Sequence, residues 1–186
     1  MLVIRMSFTS KIKTEISNDI YSLSENMAEL SGILNISVKI EDNKFEIYTE
    51  NASVAKRIYK LLKEIYHIDI KMDTGEVNTL RGNKLIVLIV ADKVDLILND
   101  LCIIKNNERI YVPSLYLVDD IRDKQSYLRG VFLMCGSIND PKTSRYHCEF
   151  VISNYNTAEY VNNLLNEMHF KSKLIKRDKN YIIKIR

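Results

Sequence analysis

Tyr127-Leu-Arg-Gly-Val-Phe-Leu-Met-Cys-Gly-Ser-Ile-Asn-Asp-Pro141 decides how this chain folds. It begins with helical periodicity, stops at Gly136 and passes through Asn-Asp-Pro turn chemistry toward a strand. Gly130 sits inside the apolar helix, where glycine costs about 1 kcal/mol relative to alanine. Such a cost is usually offset by the close approach of another backbone. The stretch therefore predicts a packing helix whose end delivers the chain into a sheet.

The same order occurs earlier in the chain. A helix over about Glu25 to Ile36, capped by Ser24, carries Ala28, Ser31 and Gly32 as a smooth stripe. Val38 to Tyr48 alternates apolar and polar residues about an Asp42-Asn43 turn, which predicts a hairpin with one buried face. Asn51 caps a helix with Val54, Ile58, Leu61, Leu62 and Ile65 on one side. Strands follow at Ile68 to Met72 and Lys84 to Val90, with loop between, and then a short helix at Val94 to Leu101. Before all of these, Ser7 caps a helix that places Ile12, Ile16 and Ile20 on one face.

The second half repeats this pattern. Glu46-Ile-Tyr-Thr-Glu-Asn51 parallels Glu149-Phe-Val-Ile-Ser-Asn154, and Ala55, Leu61, Leu62 and Glu64 parallel Ala158, Leu164, Leu165 and Glu167. Gly32 parallels Gly130. The expected elements are a helix at Leu115 to Arg122 leading into the one at Tyr127, a strand at Arg145 to Ile152, a helix at Thr157 to Met168 and a hairpin from Lys171 to Arg186. The fold class is thus α+β: two αββαββ repeats packed as a pseudo-dimer, with Gly32 and Gly130 where the central helices cross and the antiparallel sheets forming a saddle. Residues 1–104 hold the first repeat with its N-terminal helix, 105–114 the linker and 115–186 the second repeat.

Composition excludes several function classes. The 186 residues are 46% hydrophobic and 27% charged, enough for a real core. A net charge of +3 is too small to imply a polyanion partner by itself. The longest apolar run, Leu85 to Ala91, is far too short to span a bilayer. Cys102, Cys135 and Cys148, with His67, His147 and His169, show no metal-ligand spacing and read as reduced thiols and scattered imidazoles of a cytoplasmic protein. No cofactor is expected.

The central helices Leu30-Ser-Gly-Ile-Leu-Asn-Ile-Ser37 and Leu128-Arg-Gly-Val-Phe-Leu-Met-Cys-Gly136 resemble degenerate signatures of the LAGLIDADG homing endonucleases. Met6-Ser-Phe-Thr-Ser10, Tyr48-Thr-Glu-Asn51, Arg57-Ile-Tyr-Lys-Leu-Leu62 and the Leu-Arg-Gly…Asn-Asp-Pro block of the opening stretch resemble the WhiA family, bacterial regulators of sporulation and cell division. That resemblance spans essentially the whole chain. It implies a DNA-binding transcription regulator associated with the nucleoid, whose N-terminal domain this sequence represents. Most double-stranded DNA affinity would lie in a helix-turn-helix domain outside these residues, and a protein of the transcription machinery is a further expected partner.

Hydrolysis by the resembling nucleases needs a carboxylate at the C-terminal end of each central helix to hold divalent metal. Here those positions fall on Ser37 and Cys135, neither a good ligand for a hard cation. Asp140 lies nearby, without a matching acid except Glu41 out on a strand, and Asn-Asp-Pro is good turn chemistry. No metal site and no enzyme activity are therefore expected. The alternatives are a retained metal-dependent endonuclease and a protein- or ligand-binding module without DNA contact.

Candidate DNA contacts are Lys39 and Arg145 on the inner hairpins, and Lys173, Lys176, Arg177, Lys179, Lys184 and Arg186 on the last one. The last group crowds against a single acid, Asp178. Such a cluster serves phosphate contact, or the solvated edge of a sheet. Tyr146 and Tyr181 could stack on bases or pack within their strands.

Overall fold

The computed structural model describes residues 6–75, 84–143 and 147–185. Ser7 accepts a hydrogen bond from the Ser10 amide and so caps α1 (Phe8–Ile16). A capping box opens α2 (Leu23–Ser37): Ser22 accepts from the Glu25 amide, and the Glu25 carboxylate accepts from the Ser22 amide at 3.0 Å. The chain then runs directly into β1 (Val38–Glu41) and turns onto β2 (Lys44–Thr49). Asn51 caps α3 (Ala52–Tyr66), and β3 (Lys71–Gly75) and β4 (Leu85–Val90) complete an antiparallel sheet of order β1-β2-β4-β3. A short helix, α4 (Val94–Asp100), and a two-strand ribbon of β5 (Ile104–Lys105) and β6 (Glu108–Arg109) follow.

The order then repeats with α5 (Ile121–Cys135), β7 (Gly136–Ile138), β8 (Cys148–Ile152), α6 (Tyr155–Glu167), β9 (Lys173–Arg177) and β10 (Asn180–Ile185). The second sheet has order β7-β8-β10-β9, matching the first strand for strand. Asn154 caps α6 as Asn51 caps α3. This is the expected α+β pseudo-dimer of two repeats.

The two halves meet through α2 and α5, the most extensive contact between any two elements described. A Cβ added at Gly32 would strike the Tyr127 carbonyl oxygen, and one at Gly130 would strike the Glu29 carbonyl oxygen. The collisions are reciprocal, so the helices run parallel and in register at van der Waals contact of their backbones. Each also lends a side chain to the other half: Ala28 of α2 packs in the core with Tyr127, Val131, Phe150 and Ile183, while Leu133 of α5 packs with Leu34, Phe45, Ile47 and Leu88.

Beside this crossing lies an ion cluster. The Glu29 carboxylate, fully buried, accepts hydrogen bonds from Arg57 of α3 through Nε and, at 2.9 Å, Nη2, and from Arg129 Nε of α5 at 2.6 Å. Arg57 also donates to the Asp19 carbonyl at 2.7 Å, and the Arg129 guanidinium lies 3.4 Å from the centroid of the Tyr21 ring. Burial opposes the Arg57 charge, but its bonds to Glu29 outweigh that and hold its pKa above the ordinary arginine value. One carboxylate thus ties three helices together.

Several boundaries differ from the sequence expectation. Ser22, not Ser24, caps α2, because only Ser22 has a glutamate three residues on to complete the capping box. Helix α1 ends at Ile16, leaving Ile20 90% exposed in the connection rather than on a helix face. Only a 3₁₀ turn forms at Leu115–Leu117, and α5 begins at Ile121 behind Asp120, whose carboxylate accepts from the Arg122 and Asp123 amides. The third strand falls later than expected, at Lys71–Gly75. Within the expected linker, Asn106 and Asn107 both take left-handed φ, 52° and 63°, so the stretch opens with a tight two-residue hairpin instead of an unstructured one. The expected strand at Arg145 to Ile152 is seen from Cys148, residues 144–146 lying outside those described.

In an exposed helix, Gly→Ala stabilises by about 1 kcal/mol. At Gly130 the sign is expected to reverse, with Gly130→Ala losing about 3 kcal/mol or more because a carbonyl on a packed helix cannot give way. Urea denaturation checks this; unchanged or increased stability would refute the backbone contact.

Candidate nucleic-acid interface

The sheet faces turned away from the helices form the saddle surface. On the first sheet, Ile40, Phe45 and Ile47 point to the core, so Lys39, Glu41, Lys44, Glu46 and Tyr48 share the outer face. These charges neutralise one another: Lys39 Nζ lies 2.9 Å from Glu41, and Lys44 Nζ lies 3.0 Å from Glu41 and 2.6 Å from Glu46. Tyr48 donates its hydroxyl proton to Glu46. Lys71, on β3 at the opposite edge of the sheet, pairs with Asp73 at 2.9 Å. Lys39, a candidate phosphate contact, is therefore already engaged.

The second sheet differs. Phe150, Ile152 and Ile183 face the core, which leaves Glu149, Val151, Ile182, Lys184, Lys173, Ile175 and Arg177 on the saddle side. Lys184 stands between Glu149 and Lys173 in the cross-strand register, and Arg177 stands opposite Asn180. Glu149 takes its 3.2 Å contact from His147. Among the described residues no carboxylate forms an ion pair with Lys173, Arg177 or Lys184. Lys176 is opposite Tyr181 and so belongs to the other face, and Lys179 lies in the turn between β9 and β10. Tyr181 packs against the core and meets the Tyr155 ring edge-on at 5.3 Å. Arg145, Tyr146 and Arg186 lie outside the described residues.

At the base of the saddle, the two signature positions turn back onto their own helices. Ser37 Oγ donates to the Ile33 carbonyl at 2.9 Å, and Cys135 Sγ to the Val131 carbonyl at 3.3 Å. Burial pushes the Cys135 thiol up to about 12, against a weaker downward pull from the Lys13 charge. Lys13 itself is lowered by burial and lies over the Phe132 ring at 5.7 Å. At the end of α2, Arg109 Nη2 donates to the Leu34 carbonyl at 3.1 Å and to the Asn35 carbonyl at 3.4 Å. Two protein cations therefore stand at the negative ends of the central helices. Asp140 spends one carboxylate oxygen on the Lys142 amide at 2.9 Å, closing an Asx turn. No group of three or more metal-ligating side chains occurs among the described residues, and no described helix is long and apolar enough to cross a membrane.

Sequence reasoning missed Glu29, Arg57, Arg129, Lys13 and Arg109. Arg57 and Arg129 carried a usable signal, each being a charge on an otherwise apolar helix stripe. Arg109 carried none, since its partners are carbonyl groups on a distant helix.

Parallel central helices bearing reciprocal glycines, each opening into a four-stranded antiparallel sheet of one order, define a LAGLIDADG homing-endonuclease-like protein. The solved N-terminal LAGLIDADG domain of DUF199/WhiA superposes with a TM-score of 0.76 at 17% identity, over 100% of this chain and 87% of that one. Full-length DUF199/WhiA from Thermatoga maritima gives 0.75 at 17% identity, over 97% of this chain and 57% of that one. The homing endonuclease I-DmoI in complex with DNA and Mn gives 0.61 at 16%, over 89% and 91%. Residues 23–104 match the WhiA N-terminal LAGLIDADG-like domain, and residues 124–186 match the WhiA LAGLIDADG-like domain. The chain belongs to the WhiA family. It is 33% identical over 193 residues to the probable cell division protein WhiA of Clostridium acetobutylicum, covering 97% of this chain and 61% of that protein. With its Clostridium botulinum relative the identity is 35% over 191 residues, covering 96% and 60%. The chain thus spans about three fifths of the length of these relatives.

A thiol pushed up to about 12 stays protonated through neutral pH. Alkylation of Cys135 in the folded protein, followed by mass spectrometry, should therefore keep rising about tenfold per pH unit through pH 10. A plateau near pH 9 would mean an ordinary, solvated thiol.

Proposed function

We propose that this chain is a catalytically silent, nuclease-derived domain of a DNA-binding transcription regulator of the sporulation and cell-division type. It touches duplex DNA weakly, through the phosphate backbone, and positions the rest of a longer protein. The observation that carries this reading is the charge asymmetry of the saddle: among the described residues Lys173, Arg177 and Lys184 form no ion pair with a carboxylate, whereas the first sheet neutralises itself. Phosphates can displace water from the first set without breaking an ion pair. The second sheet would therefore make most contacts and the first would act as a spacer. The WhiA relatives are named probable cell division proteins, and a DNA-bound homing endonuclease shares the fold, which supports the choice of partner. Sequence-specific affinity is assigned to a helix-turn-helix domain beyond these residues, and the regulator acts on the nucleoid in the cytoplasm.

Silence rests on the base of the saddle. Ser37 and Cys135 spend their polar hydrogens on helix carbonyls, and Arg109 and Lys13 supply the positive charge that metal would bring to an active nuclease.

Binding to a random duplex, measured by fluorescence anisotropy against salt, is expected to weaken steeply as salt rises. Lys173→Glu with Arg177→Glu should reduce the slope of log K against log salt by about 2, one phosphate contact for each cation. No binding at low salt would sink the DNA reading in favour of a protein-binding module. Supercoiled plasmid incubated with Mg²⁺ or Mn²⁺ should stay intact. Cleavage that disappears in Asp140→Ala would establish a relocated nuclease site.

A further inference from the structure

One row of the saddle face carries no charge. In the second sheet Val151 pairs with Ile182 and Ile182 with Ile175, so aliphatic side chains of β8, β10 and β9 stand side by side across neighbouring strands. Val151 is 41% exposed and Ile175 45%, with Ile182 nearly buried between them. Exposed aliphatic residues scattered singly need no explanation, but these are contiguous and aligned. The first sheet has no such row. There the register sets Tyr48 beside Val87 and Val87 beside Asp73. Both ends are polar and engaged, Tyr48 with Glu46 and Asp73 with Lys71.

Cations flank the aliphatic row on both sides. Lys184 and Lys173 lie two residues along their strands from Ile182 and Ile175 in one direction, and Arg177 lies two residues from Ile175 in the other. Two residues of strand span about 7 Å, and a row across three strands about 10 Å. The second sheet thus offers a short apolar strip with positive charge along each of its long sides.

Three side chains expose far too little apolar surface for the core of a protein interface, which covers about 800 Å² on each partner. They suit a smaller apolar target. Thymine presents a C5-methyl group in the major groove, which is about 12 Å wide, whereas the minor groove presents none. A strip about 10 Å long covers about three base-pair steps of about 3.4 Å. Cations about 7 Å to either side of it then reach the phosphates along the groove walls.

We propose that Val151, Ile182 and Ile175 read thymine methyl groups, so that this domain prefers A·T-rich duplex. The inference rests on the reading of the chain as a DNA-contacting domain and adds a base preference to it. Lys173, Arg177 and Lys184 hold the phosphates, and the aliphatic row discriminates among bases. These side chains carry no hydrogen-bond donor or acceptor, so the preference is for methyl content and not for one sequence. Sequence-specific affinity stays with the helix-turn-helix domain.

Deoxyuridine removes the methyl group and leaves base pairing and phosphate charge unchanged. Fluorescence anisotropy of this chain on a short alternating dA–dT duplex, and on the same duplex with dU replacing every dT, isolates the methyl contribution. Affinity is expected to fall about fivefold or more on the dU duplex, with the slope of log K against log salt unchanged. Val151→Ser with Ile175→Ser, both at exposed positions, should bind the two duplexes equally and keep the salt slope. Equal binding of both duplexes by the unaltered chain, with steep salt dependence, would overturn the methyl contact and leave the phosphate reading standing. A dT preference that survives in the double variant would overturn it too, assigning the difference to duplex shape. No binding of either duplex at low salt would remove both readings and leave the row to a protein partner.

Discussion

Everything in this molecule depends on how closely two backbones approach at Gly32 and Gly130. Each glycine faces a carbonyl oxygen of the other helix, so neither tolerates a side chain. Each helix ends five residues past its glycine, at Ser37 and at Cys135, so the two finish at the same level. Each then continues without a break into a first strand, Val38 after Ser37 and Gly136 after Cys135. The saddle is the consequence: two sheets diverging from one line because their first strands start from one line. The Glu29 cluster adds direction to this contact, since one carboxylate takes hydrogen bonds from α3 and α5 and cannot keep both if the helices slide. Removing one partner of a buried pair typically costs about 3–5 kcal/mol, so sliding that breaks either bond is strongly disfavoured.

The same geometry brings the helix C-termini together, and this gives the base of the saddle its electrostatic character. Two C-terminal ends side by side concentrate negative potential. A nuclease of this fold meets that potential with metal held by acids. Here Arg109 takes the Leu34 and Asn35 carbonyls, and Lys13 lies close enough to Cys135 to influence its thiol. Both cations come from segments outside the repeats, one from the ribbon between them and one from α1. Helix α1 is held there by Thr9, whose hydroxyl donates to the Ile138 carbonyl and accepts from the Ile138 amide, both at 2.9 Å, and by Asn51, which donates to Ser10. The additions to the symmetric core are thus what neutralise its base.

Features governed by local chemistry were legible in the sequence. Alternation over Val38 to Tyr48 fixed a hairpin and its buried face, Asn51 and Asn154 marked helix starts, and Gly32 and Gly130 marked the crossing. Features that depend on pairing distant residues were not legible. Glu29, Arg57 and Arg129 lie on three helices, and nothing in their local sequence says that they meet. The saddle charges were half legible. Period-two alternation puts Lys173, Arg177 and Lys184 on one face and Lys176 on the other, but treating the cluster as a single block concealed that division. Lys39 stands two residues before Glu41 on the same strand and the same face, so its 2.9 Å pairing follows from alternation alone.

The halves have diverged in complementary ways, and that divergence says more than their symmetry. The first half is closed on both sides: α4 and its flanking residues cover the core, and ion pairs occupy the saddle face. The second is open on both, with an apolar groove beneath and, above, cations that form no ion pair among the described residues. The two copies of a duplicated unit are under no constraint to keep their faces alike. A closed half suits support, because ion pairs on its surface and a helix over its core leave little free energy to be gained by binding. An open half has more to gain by being covered, at the cations Lys173, Arg177 and Lys184 and at the apolar surface around Ile121 and Phe170. The two surfaces lie on opposite sides of one four-stranded sheet, with β10 contributing Lys184 to one and Ile185 to the other.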